Sequence, residues 1–283
     1  MSRPRVARLA VVGLGLVGGS VVRAARARQA AAQIVGVSRN AATLAEARAA
    51  GLLDASATDL AEGIRDAELV VLAAPVGALP GLVREAWPHL TPGAVLTDVG
   101  SVKWEVVGTA ESCPARAGVA FVGGHPMAGS EESGFAASGA DLFAGCLVLL
   151  TPTERTPEAA VGRVAAFWEA LGGHVRTLGA AAHDRAVAAI SHLPHLVAYG
   201  LVAAAEGEAL ALAGRGFVDT TRVAASPEAL WSDIFRVNRS ALLGALVEYR
   251  ARLARWEALI RAGEWSGLEE ELVRAREIRE KLG

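Results

Sequence analysis

Short apolar runs recur along the first part of the chain, at residues 8–12, 34–37, 69–73, 95–98, 120–122, 147–150 and 175–178. Each is brief and most are almost wholly apolar, which predicts strands buried on both faces. Stretches with helical spacing lie between several of them, at 40–50, 77–87, 102–111 and 157–171. Buried strands alternating with helical crossovers predict an α/β fold, an N-terminal Rossmann-type, doubly wound and mostly parallel sheet. From Ala180 the alternation stops, and alanine-rich helical sequence runs on to Gly283. We therefore expect two domains, a dinucleotide-binding domain over 1–179 and an all-α domain over 180–283. Near the end, Leu242, Leu246, Tyr249, Leu253, Trp256 and Ile260 recur at spacings of three and four, one stripe of a helix. The stripe suits packing within the subunit or a homodimer seam. A helical domain of about 100 residues has a small core of its own and would gain from the second.

Composition narrows the function. The length of 283 residues suits two domains, and a net charge of −2 lacks the basic footprint of a nucleic-acid partner. The two cysteines, Cys113 and Cys146, have no metal-ligand spacing, so no metal site is expected and a reducing cytoplasm is. Residues 1–32 imitate a secretory signal. However, the apolar part holds Gly13, Gly15, Gly18 and Gly19 and is too short to span a bilayer, so no membrane partner is expected.

Those glycines have a better use. Gly13, Gly15 and Gly18, with Leu14, Leu16 and Val17 between them, form G-x-G-x-x-G after a predicted strand and before a predicted helix. The first glycine makes a tight turn, the second lets backbone approach a pyrophosphate, and the third lets helix and strand pack closely. Ala74 and Pro75, ending the run at 69–73, are expected to border the same cofactor at the carboxyl edge of the sheet. About twenty residues beyond Gly18, where NAD enzymes often carry an acid, stand Ser38, Arg39 and Asn40. No carboxylate is there to repel a 2′-phosphate and Arg39 could bind one, so NADP is favoured, with NAD possible.

Of six histidines, His125 lies in the Gly/Pro-rich stretch 123–130, expected to be a tight loop carrying a proton-transfer group. His183 and His192 read, from their surroundings, as satisfied helix histidines, and Trp231 as core. Ser101 could cap the helix that follows it.

Five landmarks in order, at 13–20, 98–103, 123–134, 191–195 and 219–222 followed by Trp231, resemble the prephenate/arogenate dehydrogenases of tyrosine biosynthesis over nearly the whole chain. The resemblance implies hydride removal from C4 of a cyclohexadienol, with loss of the ring carboxylate as CO2. It implies His125 as acceptor of the hydroxyl proton and Ser101 as its hydrogen-bonding companion. The dicarboxylate substrate would be clamped by Arg222 and His195, with Ser191, His192 and Ser130 nearby. Glu131 and Asp219 would pair with Arg222 in the absence of substrate. Two rivals share the layout. The β-hydroxyacid dehydrogenases rely on a lysine in the helical half, where this chain has only Lys281. A non-catalytic NADP-binding protein would have no need of His125.

Overall fold

The computed structural model describes residues 6–129 and 132–282. Eight strands form one sheet: β1 Val6–Val12, β2 Ala31–Val37, β3 Ala55–Ala57, β4 Leu69–Leu72, β5 Val95–Asp98, β6 Ala120–Pro126, β7 Leu147–Thr151 and β8 His174–Thr177. Their order across the sheet is β3-β2-β1-β4-β5-β6-β7-β8. The first six strands in that order are parallel, β7 runs antiparallel to β6, and β8 is parallel to β7. Strand β3 escapes the pattern of apolar runs because it is three small residues, Ala-Ser-Ala, at the sheet edge.

Alternation along β1 shows how the sheet is buried twice. Leu9 and Val11 join one core cluster with Val21, Val22 and Ala25, while Ala10 and Val12 join a second with Val70, Leu72 and Leu96. Period-two side chains of a doubly covered strand must all be apolar, so the strand reads as one continuous run. The first face is covered by α1 (Leu16–Ala27) and α6 (Glu158–Ala170), the latter bringing Phe167 and Trp168. The second is covered by α3 (Leu60–Gly63), α4 (Leu79–Ala86) and α5 (Trp104–Ser112), and α2 (Ala41–Ala49) follows β2.

Beyond β8 the chain is helical among the described residues. Helix α7 (Ala180–Val187) passes through one π-helical turn, Ala188–His192, into α8 (Leu193–Ala204). Short helices α9 (Glu208–Ala211) and α10 (Arg215–Thr221) lead to α11 (Glu228–Val237), the long α12 (Arg239–Ala262) and α13 (Trp265–Glu280). Trp231 and Ile234 of α11 enter the second core cluster, so the helical half packs onto the sheet half. A further tie crosses the junction, the Gly77 N–H donating to the Asp233 carboxylate at 2.8 Å. By length and composition alone Ala180–Ala204 could cross a membrane, at mean hydropathy 1.5. Here it carries buried His183, Asp184 and His192.

The stripe on α12 divides. Leu242 is buried and Leu246, Tyr249 and Trp256 are half-buried, whereas Leu253 and Ile260 are exposed within a single chain. Helix α13 is fastened to α12 through Glu271, buried and paired with Arg252, Arg255 and Arg274.

Candidate active site

The carboxyl ends of β1, β4 and β5 lie side by side, with Val12 opposite Leu72 and Leu72 opposite Asp98. The glycine turn leaves this edge. Gly13 has φ +92°, and a Cβ there would overlap the Ala73 carbonyl. A Cβ on Gly18 would overlap the Gly13 carbonyl, so α1 could not approach β1. Gly15, by contrast, faces open space with nothing within 4 Å, and it caps α1 without a side-chain hydrogen bond. The free N–H groups and positive end of α1 are thus turned to a space that only a missing side chain keeps open, the fit a pyrophosphate requires.

Leu14 is buried in the first core cluster and contributes backbone to the turn, while Leu16 and Val17 are half-buried at the start of α1. Ala74 and Pro75 lie on the adjoining turn after β4. At the end of β2, Ser38 is half-buried and Arg39 exposed. The Asn40 side chain accepts from the N–H groups of Ala42 and Thr43, capping α2, so its oxygen is committed to the helix.

One cleft of about 380 Å³ gathers Ser101, His125, Ser191, His195, Arg222 and Trp231. Its volume is that of a small-molecule site. Ser101 follows β5 and His125 ends β6, whereas the others come from the helical half. The structure corrects the expectation of a loop at His125, which is a strand residue paired opposite Leu149. The glycines before it permit close packing rather than a turn. A Cβ on Gly123 would overlap the Thr151 hydroxyl, and one on Gly124 would lie 2.6 Å from the Asp98 carbonyl. Ser101 does not serve as the cap of α5, whose N-cap is Lys103.

His195 is fixed on two sides. Its ring stacks on Trp231 with centroids 3.4 Å apart at 21°, and its Nδ1 lies 2.9 Å from the Ser191 carbonyl. Pro194 supplies no N–H to the helix, and the π-helical turn before α8 brings Ser191 and His195 to the cleft together. Burial, with Arg222 nearby, lowers the proton affinity of His195 despite the Ser191 contact.

His192 is a second correction. It does not line the cleft: its ring is buried behind Trp231, with Nδ1 at 3.1 Å from the Asn238 amide nitrogen, and burial lowers its pKa to about 4. Asp219 is exposed on α10 and does not line the cleft either. Ser130 and Glu131 lie outside the described residues.

His183, expected only as a satisfied helix histidine, stands beside His125, with Asp184 and Lys103, expected in no catalytic role, close behind. Nδ1 of His125 is 2.9 Å from Nε2 of His183, whose own Nδ1 is 2.7 Å from the Asp184 carboxylate. The fully buried Lys103 is bonded to the Asp98 carboxylate and, at 2.8 Å, to the Gly124 carbonyl beside His125. Burial lowers the proton affinity of Lys103, against the pull of Asp98. Burial first, then the neighbouring His183 and Lys103, hold His125 well below the usual histidine range, so its ring is neutral at pH 7 and one nitrogen keeps a lone pair. The only sequence signals were an adjacent His-Asp pair and a lysine five residues past Asp98.

Residues 21–177 match the family described as prephenate dehydrogenase, nucleotide-binding domain, and residues 179–274 match prephenate dehydrogenase, dimerization domain. A cyclohexadienyl dehydrogenase of Zymomonas mobilis is 36% identical over 89% of this chain and 88% of its own length. A prephenate dehydrogenase of Bacillus subtilis is 34% identical over 84% of this chain, which spans 66% of that protein. The crystal structure of prephenate dehydrogenase from A. aeolicus in complex with hydroxyphenyl propionate and NAD+ superposes with a TM-score of 0.90. It shares 30% identity and covers 100% of this chain and 99% of its own. A glycine turn, a strand-end histidine and a cationic cleft in this arrangement, matched along both halves, make this chain a member of the prephenate dehydrogenase family.

Proposed function

We propose that this protein oxidatively decarboxylates a cyclohexadienol dicarboxylate, prephenate or arogenate, using NADP in preference to NAD, as a cytoplasmic homodimer. The observation that carries the reading is the single cleft joining a neutral buried base, His125, to the Arg222 cation and the His195–Trp231 stack. When bound, the nicotinamide would take the hydride from C4. His125 accepts the proton of the C4 hydroxyl as that carbon becomes a carbonyl, and Ser101 holds the hydroxyl in line. Arg222 supplies a permanent positive charge to a carboxylate. His195 takes up a proton when a carboxylate arrives and donates it as a hydrogen bond from Nε2, since Nδ1 faces the Ser191 carbonyl. Loss of CO2 is driven by formation of the aromatic ring and needs no further group.

The preference for NADP is supported by Ser38 and exposed Arg39 at the end of β2, where no carboxylate meets a 2′-phosphate. The homodimer is supported by the apolar side chains that the helical half leaves exposed, and the cytoplasm by the free thiols of Cys113 and Cys146. A steady-state assay of prephenate and arogenate, each with NAD and NADP, tests the reading. We expect turnover with at least one substrate and the lower KM for NADP. No turnover in any pairing would defeat it.

A further inference from the structure

Asp184 stands at the meeting of the two halves. Its Oδ1 accepts from the Lys103 N–H at 2.7 Å and its Oδ2 from the Trp104 N–H at 2.8 Å. A carboxylate on α7 thus caps α5, a helix of the sheet half, by holding two of its orphan N–H groups. A second tie reinforces it, the Asn238 amide at the head of α12 donating to the Asp184 carbonyl at 2.9 Å. Among the described residues the remaining partner of Asp184 is Nδ1 of His183.

That contact has a direction. A carboxylate only accepts, so Nδ1 of His183 carries the hydrogen. In a neutral imidazole the other nitrogen then presents a lone pair, and Nε2 of His183 is the atom 2.9 Å from Nδ1 of His125. Between two neutral rings Nδ1 of His125 is therefore the donor. The reverse order would set a lone pair of His183 against the carboxylate. The two rings meet edge to face at 66°, as one N–H aimed at a lone pair in the neighbouring ring plane allows.

We infer that Asp184 and His183 are positioning residues that hold His125 in the Nδ1–H tautomer, leaving Nε2 as the proton-accepting atom toward the cleft. The role in turnover rests on the proposed function; the tautomer does not. The arrangement spans both halves, because β6 carries the base and α7 carries the pair that orients it. Docking of α7 on α5 therefore aligns the base as well as joining the domains.

Two measurements decide it. Nitrogen-15 spectra of the histidine-labelled protein, with His125 and His183 assigned from His125→Asn and His183→Gln, should show protonated Nδ1 and unprotonated Nε2 in both rings. A reversed pattern at either ring overturns the inference, whatever the enzyme turns over. In kinetics, His183→Gln should stay within about tenfold of the parent kcat, because a glutamine oxygen can accept from His125 while its amide donates to Asp184. His183→Leu should lose about 10²-fold or more in kcat, with substrate KM and cofactor Kd near the parent values. A Leu variant with parental kcat, or a Gln variant as slow as the Leu variant, overturns it. The latter would mean that His183 carries a proton rather than orients a ring. If the unaltered protein turns over neither substrate, the proposed function fails, and the spectra still decide the tautomer.

Discussion

The two halves solve the burial problem differently. In the sheet half Leu9, Ile34, Leu69, Leu72 and Leu96 are fully buried, because each strand is covered by helices on both faces. In the helical half Leu212, Val218, Leu243, Val247, Leu253, Ile260, Leu272 and Ile278 are all more than two-fifths exposed. An apolar surface spread over α10, α12 and α13 is more than the scatter of single residues ordinary in a monomer. The sheet half completes its core within one chain, whereas the helical half leaves apolar side chains exposed. The candidate cleft lies where the two halves meet.

The largest effect expected from breaking this contrast is on assembly. If α12 is covered by a second copy, Leu243→Glu with Val247→Glu removes two apolar side chains from each copy, every one worth about 1.5 kcal/mol or more, raising the dimer Kd by at least roughly 10⁴-fold. Sedimentation should show monomer at micromolar concentration for the variant and dimer for the parent. A parent that sediments as a 29.1 kDa particle returns the stripe to internal packing.

Next in size is the base that the sheet half contributes. His125→Asn should keep cofactor affinity while kcat falls by at least about 10²-fold, the contribution of a positioned base. Turnover close to the parent would remove His125 from the chemistry.

A third effect probes the helical core through pH. His192 is buried neutral, with its pKa lowered to about 4, against 6.5 for an ordinary histidine. A histidine with a depressed folded pKa contributes stability that is complete above the unfolded value. That stability is lost as pH falls from 6.5 through the folded value, for a total of about 3 kcal/mol. Urea midpoints measured between pH 7 and pH 4 should fall, and less steeply in His192→Gln. Identical slopes would show that His192 takes up its proton equally in the folded and unfolded protein.

The smallest effect concerns the sheet half alone. A charge-assisted bond from Arg39 is worth about 1.5–3 kcal/mol, or roughly 10–150-fold in preference for NADP. Ser38→Asp with Arg39→Ile should reverse the preference, leaving kcat with the favoured cofactor near that of the parent. An unchanged ratio of KM values would mean that Arg39 points only to solvent.

What could be read from the chain followed from local physics. Doubly buried strands must be apolar throughout, so they stood out as runs. A turn that admits a pyrophosphate needs glycine at fixed offsets, so Gly13, Gly15 and Gly18 were legible, whereas Arg222, His195 and Ser191 came only from the family resemblance of their landmarks. Strand β3 was not, because three small residues at a sheet edge leave no periodic signal. His125 was found but misplaced on a loop, since close packing against Asp98 and Thr151 demands glycine as firmly as a turn does. Only the fold could bring His183 and Asp184 to His125, across 58 residues of chain, or bury His192 behind Trp231 and Lys103 beside Asp98. A sequence determines which side chains can donate, accept or carry charge; desolvation and the choice of partner exist only once distant segments share an interior.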